Sequence, residues 1–358
     1  MVHPLLRMRY TPPAPTKLGS EQVERTAPPA EDGIPAAHPV PGHDPADEEL
    51  QVRQTAQRIL AAHLRPPLEG PYVAPQRRRP SLRQAFWPGI SVNLTGAALV
   101  NLDFVWISVM GARFHEASFQ GDARFEYADF EGDDAVFSGA SFQGRAVFNF
   151  ANFEGHAEFD GATFQGGAQF DDVRFQYGAG FSGASFQGRA AFKEATFHTG
   201  AVGFDRATFQ GRAEFDEASF TRSAWFGGVS FQDEARFYGV CFQDHVVFIG
   251  ANFKDLAWFG NATFGDAAFN EATFQGGIGF DRATFQGRAV FDEVQVLHLD
   301  NPDLKRVWPN GYSIRPDPAD PTRGTLVRAE KAEEPEPAVP LPSTGSRRTQ
   351  RHGTDQMQ

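Results

Sequence analysis

Across residues 94–296 an apolar residue returns every five or six positions, and it is nearly always Phe. From Phe114 the beat runs through Phe119, Phe125, Phe130, Phe137, Phe142, Phe148, Phe153, Phe159, Phe164 and Phe170 and on to Phe291. Of the 36 Phe in the chain, only Phe86, Phe104 and Phe150 fall outside this run. Two positions before nearly every beat sits a small residue such as Ala112, Ala117, Ala123 or Ala128, with Val173, Val202 and Ile278 as replacements. The period fits neither an amphipathic helix nor a long flat strand. The Ala-x-Phe triplet alternates like a strand, with Ala and Phe on one face. The Gln-Gly, Asp-Gly or Asp-Glu that follows reads as a corner. One Phe per short side cannot make a core, but coils stacked on one another bury a continuous column.

The A-S-F-Q-G-R-A-x-F-D-x double unit resembles the pentapeptide-repeat family, whose pattern centres on Leu or Phe with a small residue two before it. The resemblance covers about 94–296 and implies an all-β, right-handed quadrilateral β-helix with four sides per coil. Here five- and six-residue steps alternate, giving 22 residues per coil where the plain family pattern gives 20. Leu94, Leu99, Phe104, Val109 and Phe114 are spaced by five, so the chain enters as a plain coil and then switches. With Phe114 on side one, the irregular gaps at 130→137, 197→204 and 264→269 all fall between side four and side one. The count to Val296 is 38 sides, about nine and a half coils. On this reading Phe114, Phe119, Phe125, Phe142, Phe148, Phe164, Phe192, Phe215, Phe253, Phe280 and Phe291 are structural core rather than ligand contacts. Fully burying each Phe is worth roughly 1.5–3 kcal/mol.

The flanks divide the remainder. Residues 1–45 are rich in Pro, Ala and charge and are expected to be disordered. Residues 46–65 predict an amphipathic helix, with Leu50, Ala56, Ile59, Leu60 and Leu64 recurring at helical spacing, an acidic start and a stop at Pro66. Its expected place is over the open N-terminal end of the coil, with binding of a partner as the alternative. Residues 66–85, including Arg77-Arg78-Arg79, read as a linker, and Phe86-Trp87-Pro88 leads into a repeat region spanning 86–296. This helix and lead-in are similar to those of a subset of bacterial pentapeptide-repeat proteins. After Val296 the period stops; 297–314 predicts a C-terminal cap, and 315–358 a disordered tail.

Composition changes the picture in one respect. The formal net charge is −12, and within 112–294 there are 26 Asp or Glu against 13 Lys or Arg. An acidic rod repels nucleic acid and attracts basic surfaces, so no direct nucleic-acid binding is expected. The resemblance also brings in the quinolone-resistance pentapeptide proteins, which bind DNA gyrase by mimicking the DNA backbone. Arg145, Arg189, Arg206, Arg212, Arg282 and Arg288 interrupt the acidic pattern here. The outward Gln120, Gln143, Gln165, Gln187, Gln210 and Gln232 are one coil apart and predict side-chain amide ladders. The single Cys241 and the corner residues His115, His156, His198 and His245 form no metal-ligand spacing, and no catalytic constellation can be named. No apolar stretch is long enough for a membrane span, and no secretory h-region is present. The expectation is a cytoplasmic, non-catalytic scaffold without cofactor, catalytic or metal residues. Its partner would be another protein or, through Trp308, a second copy. An acidic DNA-mimic regulator of gyrase or topoisomerase is the alternative.

Overall fold

The computed structural model describes residues 45–67, 86–132 and 134–329. The tails expected over 1–44 and 330–358, and residues 68–85 of the expected linker, lie outside the described residues. From Ser91 to Val296 the chain is a β-solenoid of about nine turns. Each turn has four short sides, and each side pairs in parallel with the same side one turn away. Phe142, for example, is in register with Phe119 and Phe164, and Phe153 with Phe130 and Phe175. Sides four and one form one sheet, sides two and three the other.

The five–six alternation has a local cause. Corners from side one to two, and from three to four, take the short step. There the Ala N–H donates back to the Phe carbonyl three residues earlier, as in Ala117 to Phe114 and Ala128 to Phe125, both 3.0 Å. The residue before that Ala is left-handed, with φ of 54° at Glu116, 58° at Tyr127 and 65° at Gly161. This is the type II turn. The other two corners take the long step. From side two to three, Gly121, Gly144, Gly166 and Gly188 lie backbone over backbone; a Cβ on Gly166 would sit 2.4 Å from the Gly144 carbonyl oxygen. The irregular gaps fall at the corner from side four to one. There the strands Cys241–Val247 and Thr263–Ala268 run through the bend, and their register slips between Phe242 and His245.

The Phe side chains fill the interior as stacked columns. On side one, Phe137 and Phe159 stack at 4.8 Å and 4°; on side three, Phe148 and Phe170 stack at 4.9 Å and 2°. The two columns meet edge-to-face, as in Phe148–Phe159 at 5.4 Å and 85°. These are the separations at which aromatic pairs attract beyond their buried area. Phe114, Phe119, Phe125, Phe142, Phe148, Phe164, Phe192, Phe215, Phe253, Phe280 and Phe291 are each no more than 3% exposed.

Both ends are covered. Helix α1 (Pro45–Leu64) packs on the first turn. Its inward face is Arg53, Gln57, Ala61 and Leu64, with Ala56 and Leu60 packed partly buried beside them; of the expected apolar positions Ile59 turns outward, 49% exposed, and two polar residues take the centre of the face. The first turn has no turn before it to pair with. The Gln57 side chain supplies the missing pair by donating to the Val100 carbonyl and accepting from the Val100 N–H, both at 2.9 Å. Arg53 donates to the Ala98 carbonyl at 3.4 Å and is held by Glu49 at 2.6 Å. At the other end, strands Tyr312–Pro316 and Gly324–Arg328 form an antiparallel hairpin whose second strand pairs with Gln295–Val296. Leu326 is 4% exposed in the core, and the Tyr312 hydroxyl donates to the Ala289 carbonyl at 3.1 Å. The cap therefore reaches Arg328, and 315–328 is not the tail that its Pro and charge content suggested. Five residues of strand carry too little apolar pattern to stand out when the repeat strand they join is 28 to 30 residues away.

Candidate interaction surfaces

With every Phe and its partner Ala turned inward, only the residue between them and the corner residues can meet another molecule. The four sides present different chemistry. On side two, Ser118, Ser141, Thr163, Ser185, Thr208 and Ser230 line up one turn apart. The Gln residues after them do not form the predicted ladder: among the described residues no hydrogen bond joins one of these amides to the next. The amides that do bond reach sideways on sides four and two, Gln176 to Asn152 at 3.3 Å and Gln275 to Asn252 at 3.0 Å. A Gln is long enough to choose water or a neighbouring column, so spacing alone does not fix its partner.

Side three and the corner leading to it carry a network of ion pairs. Arg145 meets Asp122 at 2.6 Å, Arg124 meets Glu126 at 3.0 Å, Arg212 meets Glu234 at 2.8 Å and Arg236 meets Asp216 at 3.0 Å. At its centre Glu214 is only 3% exposed and receives both Arg189, at 2.6 Å, and Lys193, at 2.7 Å. Burial works to raise the Glu214 pKa, but the hydrogen bonds from Arg189 and Lys193 outweigh it and lower it from 4.5 to about 2. Burial likewise raises the Asp171 carboxyl, only partly offset by the Lys193 backbone N–H. Arg189, Lys193, Arg212, Glu214 and Arg236 line a shallow depression on this face.

Many other carboxylates have a structural task. The side chains of Asp122, Asp134, Asp160, Asp171, Asp205, Asp216 and Asp266 each accept a backbone N–H from the next turn, at 2.7–3.2 Å. At corners the backbone ladder is interrupted, and a short acidic side chain fills the gap. Part of the acidity of this chain thus follows from pairing backbone donors that the ladder leaves over at corners, three of them part-buried.

Side one differs from both. From Gly180 its outward row continues through Gly203, Trp225, Val247 and Ala268 to Val290, with no charged residue. Trp225 and, at the adjoining corner, Ile249 are each 42% exposed.

A family profile described as pentapeptide repeats (9 copies) matches residues 108–152, 137–184, 159–202, 204–251 and 248–295. The chain belongs to the pentapeptide-repeat family. Searched against curated proteins, it finds no match. As a pentapeptide-repeat protein it has a convex rod rather than a cleft. Among the described residues there is no group of three or more His, Cys, Asp or Glu placed to hold a metal ion. Among them, too, no helix is long and apolar enough to cross a membrane. His115, His156, His198 and His245 stay apart; His245 lies between Asp244 at 2.6 Å and Asp266 at 3.2 Å. Cys241 is half-buried on side four. Trp308 is partly buried against the core. Sequence reasoning missed Gln57, Arg53 and the Glu214 network because their partners are 21 to 45 residues away. The Trp225 row was legible in principle, as the residue before every side-one Phe.

Proposed function

We propose that this pentapeptide-repeat protein is a non-catalytic scaffold that binds another protein through side one. The observation that carries this reading is the uncharged row from Gly180 to Val290, with Trp225 and Ile249 exposed at its centre. Trp at the centre of a flat patch is the residue type that most often dominates an interface. Side three supports the assignment by contrast, because its charges are already paired internally. The same pairing weighs against DNA-backbone mimicry, which needs unbroken acidic surface along adjoining sides.

The test is affinity capture from lysate of the source cell, with wild type beside a Trp225→Ser/Ile249→Ser variant. Captured proteins are identified by mass spectrometry after low- and high-salt washes. The expected outcome is a salt-resistant partner held by wild type and lost by the variant, whose melting stays within about 0.5 kcal/mol because both positions are on the surface. Equal capture by both forms would remove side one from consideration. Topoisomerase subunits recovered at low salt and released at high salt would establish mimicry instead.

A further inference from the structure

Where side one turns into side two, the residues after Trp225 and Phe226 are Gly227 and Gly228. Neither has a side chain, so they leave a bare floor at the corner. Trp225 stands at its start and Ile249 over it from the next turn, while Asp205 and Arg206 border it from the turn before. Backbone bonds fix this order: the Arg206 N–H donates to the Gly227 carbonyl and the Gly228 N–H to the Ile249 carbonyl, both at 2.8 Å. Ser182, Gly183, Asp205, Arg206, Gly227 and Gly228 line an open depression of about 710 Å³.

The glycines here have structural reasons. Asp205 Oδ1 accepts the Gly227 N–H at 2.8 Å and would lie 2.7 Å from a Cβ added to Gly227. Gly139, Gly161, Gly183, Gly228 and Gly250 hold the left-handed position of this corner, with φ of 60–66°. Arg206 holds that position among them at φ 57°, as Glu116, Glu271 and Glu293 do nearer the ends. Gly adopts this conformation freely and a long side chain does not. Among the described residues the Arg206 guanidinium meets no carboxylate and no carbonyl. On side three, by contrast, Arg189, Lys193, Arg212 and Arg236 are all paired. Local structure therefore gives Arg206 no task.

We propose, on the reading that side one is the binding face, that its partner presents an extended segment with an apolar side chain close to an Asp or Glu. The apolar group packs on Gly227 and Gly228 against Trp225 and Ile249, and the carboxylate pairs with Arg206. Charge complementarity selects this chemistry. A guanidinium offers a planar fork that matches a carboxylate, and a wholly apolar segment would cover Arg206 without giving it a partner. Area selects a single segment over a second copy of this chain. The uncharged row from Gly180 to Val290 spans six turns. At ~4.8 Å per turn and ~10 Å per side that is a few hundred Å², well short of the roughly 800 Å² that each partner buries in a standard interface. The spacing follows from the register. Arg206 lies three residues past Gly203, which pairs with Trp225. The partner's apolar and acidic residues are therefore expected about two to three positions apart, within reach of one face of an extended chain.

The test selects from a displayed library of short random peptides on the immobilised full chain. The forms compared are wild type, Arg206→Gly and the Trp225→Ser/Ile249→Ser variant. Arg206→Gly gives this turn the residue its neighbours use and is expected to melt no lower than wild type; should it melt early, Arg206→Asn, which also suits the left-handed turn, takes its place. Wild type is expected to enrich peptides that carry an apolar residue near an Asp or Glu. A synthetic peptide from that set should bind Arg206→Gly about tenfold more weakly than wild type, and high salt should narrow the difference. Enriched peptides without an acid, or equal binding by wild type and Arg206→Gly, would overturn the inference. Side one would still stand as the binding face if the Trp225→Ser/Ile249→Ser variant lost those peptides. Peptides held equally by that double variant would overturn both readings. No enrichment on wild type would overturn the inference as well.

Discussion

Glu214 shows how a single residue behaves on this surface. Its carboxylate is buried but carries two cationic partners from the preceding turn, Arg189 and Lys193. Replacing it by Gln keeps the shape and removes the charge that both cations face. Glu214→Gln is expected to lower stability by about 1–3 kcal/mol at neutral pH, measured by urea unfolding. The pH dependence has a definite sign. The folded-state pKa is depressed to about 2 from 4.5. The stabilisation is therefore fully present above the ordinary carboxylate range and is lost as pH falls from 4.5 towards 2. The gap between wild type and variant should close across that window and stay constant from pH 5 to 7; a gap insensitive to acid would refute the assignment. Asp171, whose pKa is raised by burial, contributes with the opposite sign, its ionisation opposing folding as pH rises. Neither effect could be read from residue order, because partners sit 21 to 25 positions apart and several columns compete for each charged group.

At the scale of one turn, the two kinds of corner make separate demands on Gly. Gly166 is in the long corner, where an added Cβ would sit 2.4 Å from the Gly144 carbonyl oxygen. Gly161 is in the short corner, at φ 65°, with nothing within 4 Å of an added Cβ. Gly161→Ala is expected to cost about 1 kcal/mol through backbone strain alone. Gly166→Ala should cost more, about 1–3 kcal/mol, because two turns must separate or shift. Parallel thermal melts of the two variants check the order, and the reverse order would refute this account of the corners. The five- and six-residue steps were visible as numbers in the chain. Their meaning, a closed type II turn against an open corner, required the hydrogen bonds. The helix shows a similar division: its existence follows from its periodicity, but Gln57 and Arg53 face inward because the first turn exposes an unpaired edge that apolar residues cannot satisfy.

Across the whole molecule, each turn touches only its neighbours, so stability is a sum of turns and interfaces. Phe192 stacks on Phe170 at 4.8 Å and on Phe215 at 4.9 Å in the middle of the rod. Phe192→Ala should lower stability by about 3–5 kcal/mol. Hydrogen exchange should show the loss in the turns around Phe170 and Phe215 first, with the capped ends retaining protection; uniform loosening would argue for a single cooperative core. The sequence alone determined the number of sides, the residues turned inward and the corner that absorbs irregularity. It could do so because one Phe must face inward every fifth or sixth residue if the column is to close. The tertiary structure decided which outward residues meet. It paired the Arg and Asp of side three, left Trp225 exposed in the uncharged central row of side one, brought Leu326 back to seal the end and stacked Trp106, Tyr127 and Phe150. Those contacts join residues a full turn or more apart, and only the stacked backbone sets which columns lie side by side.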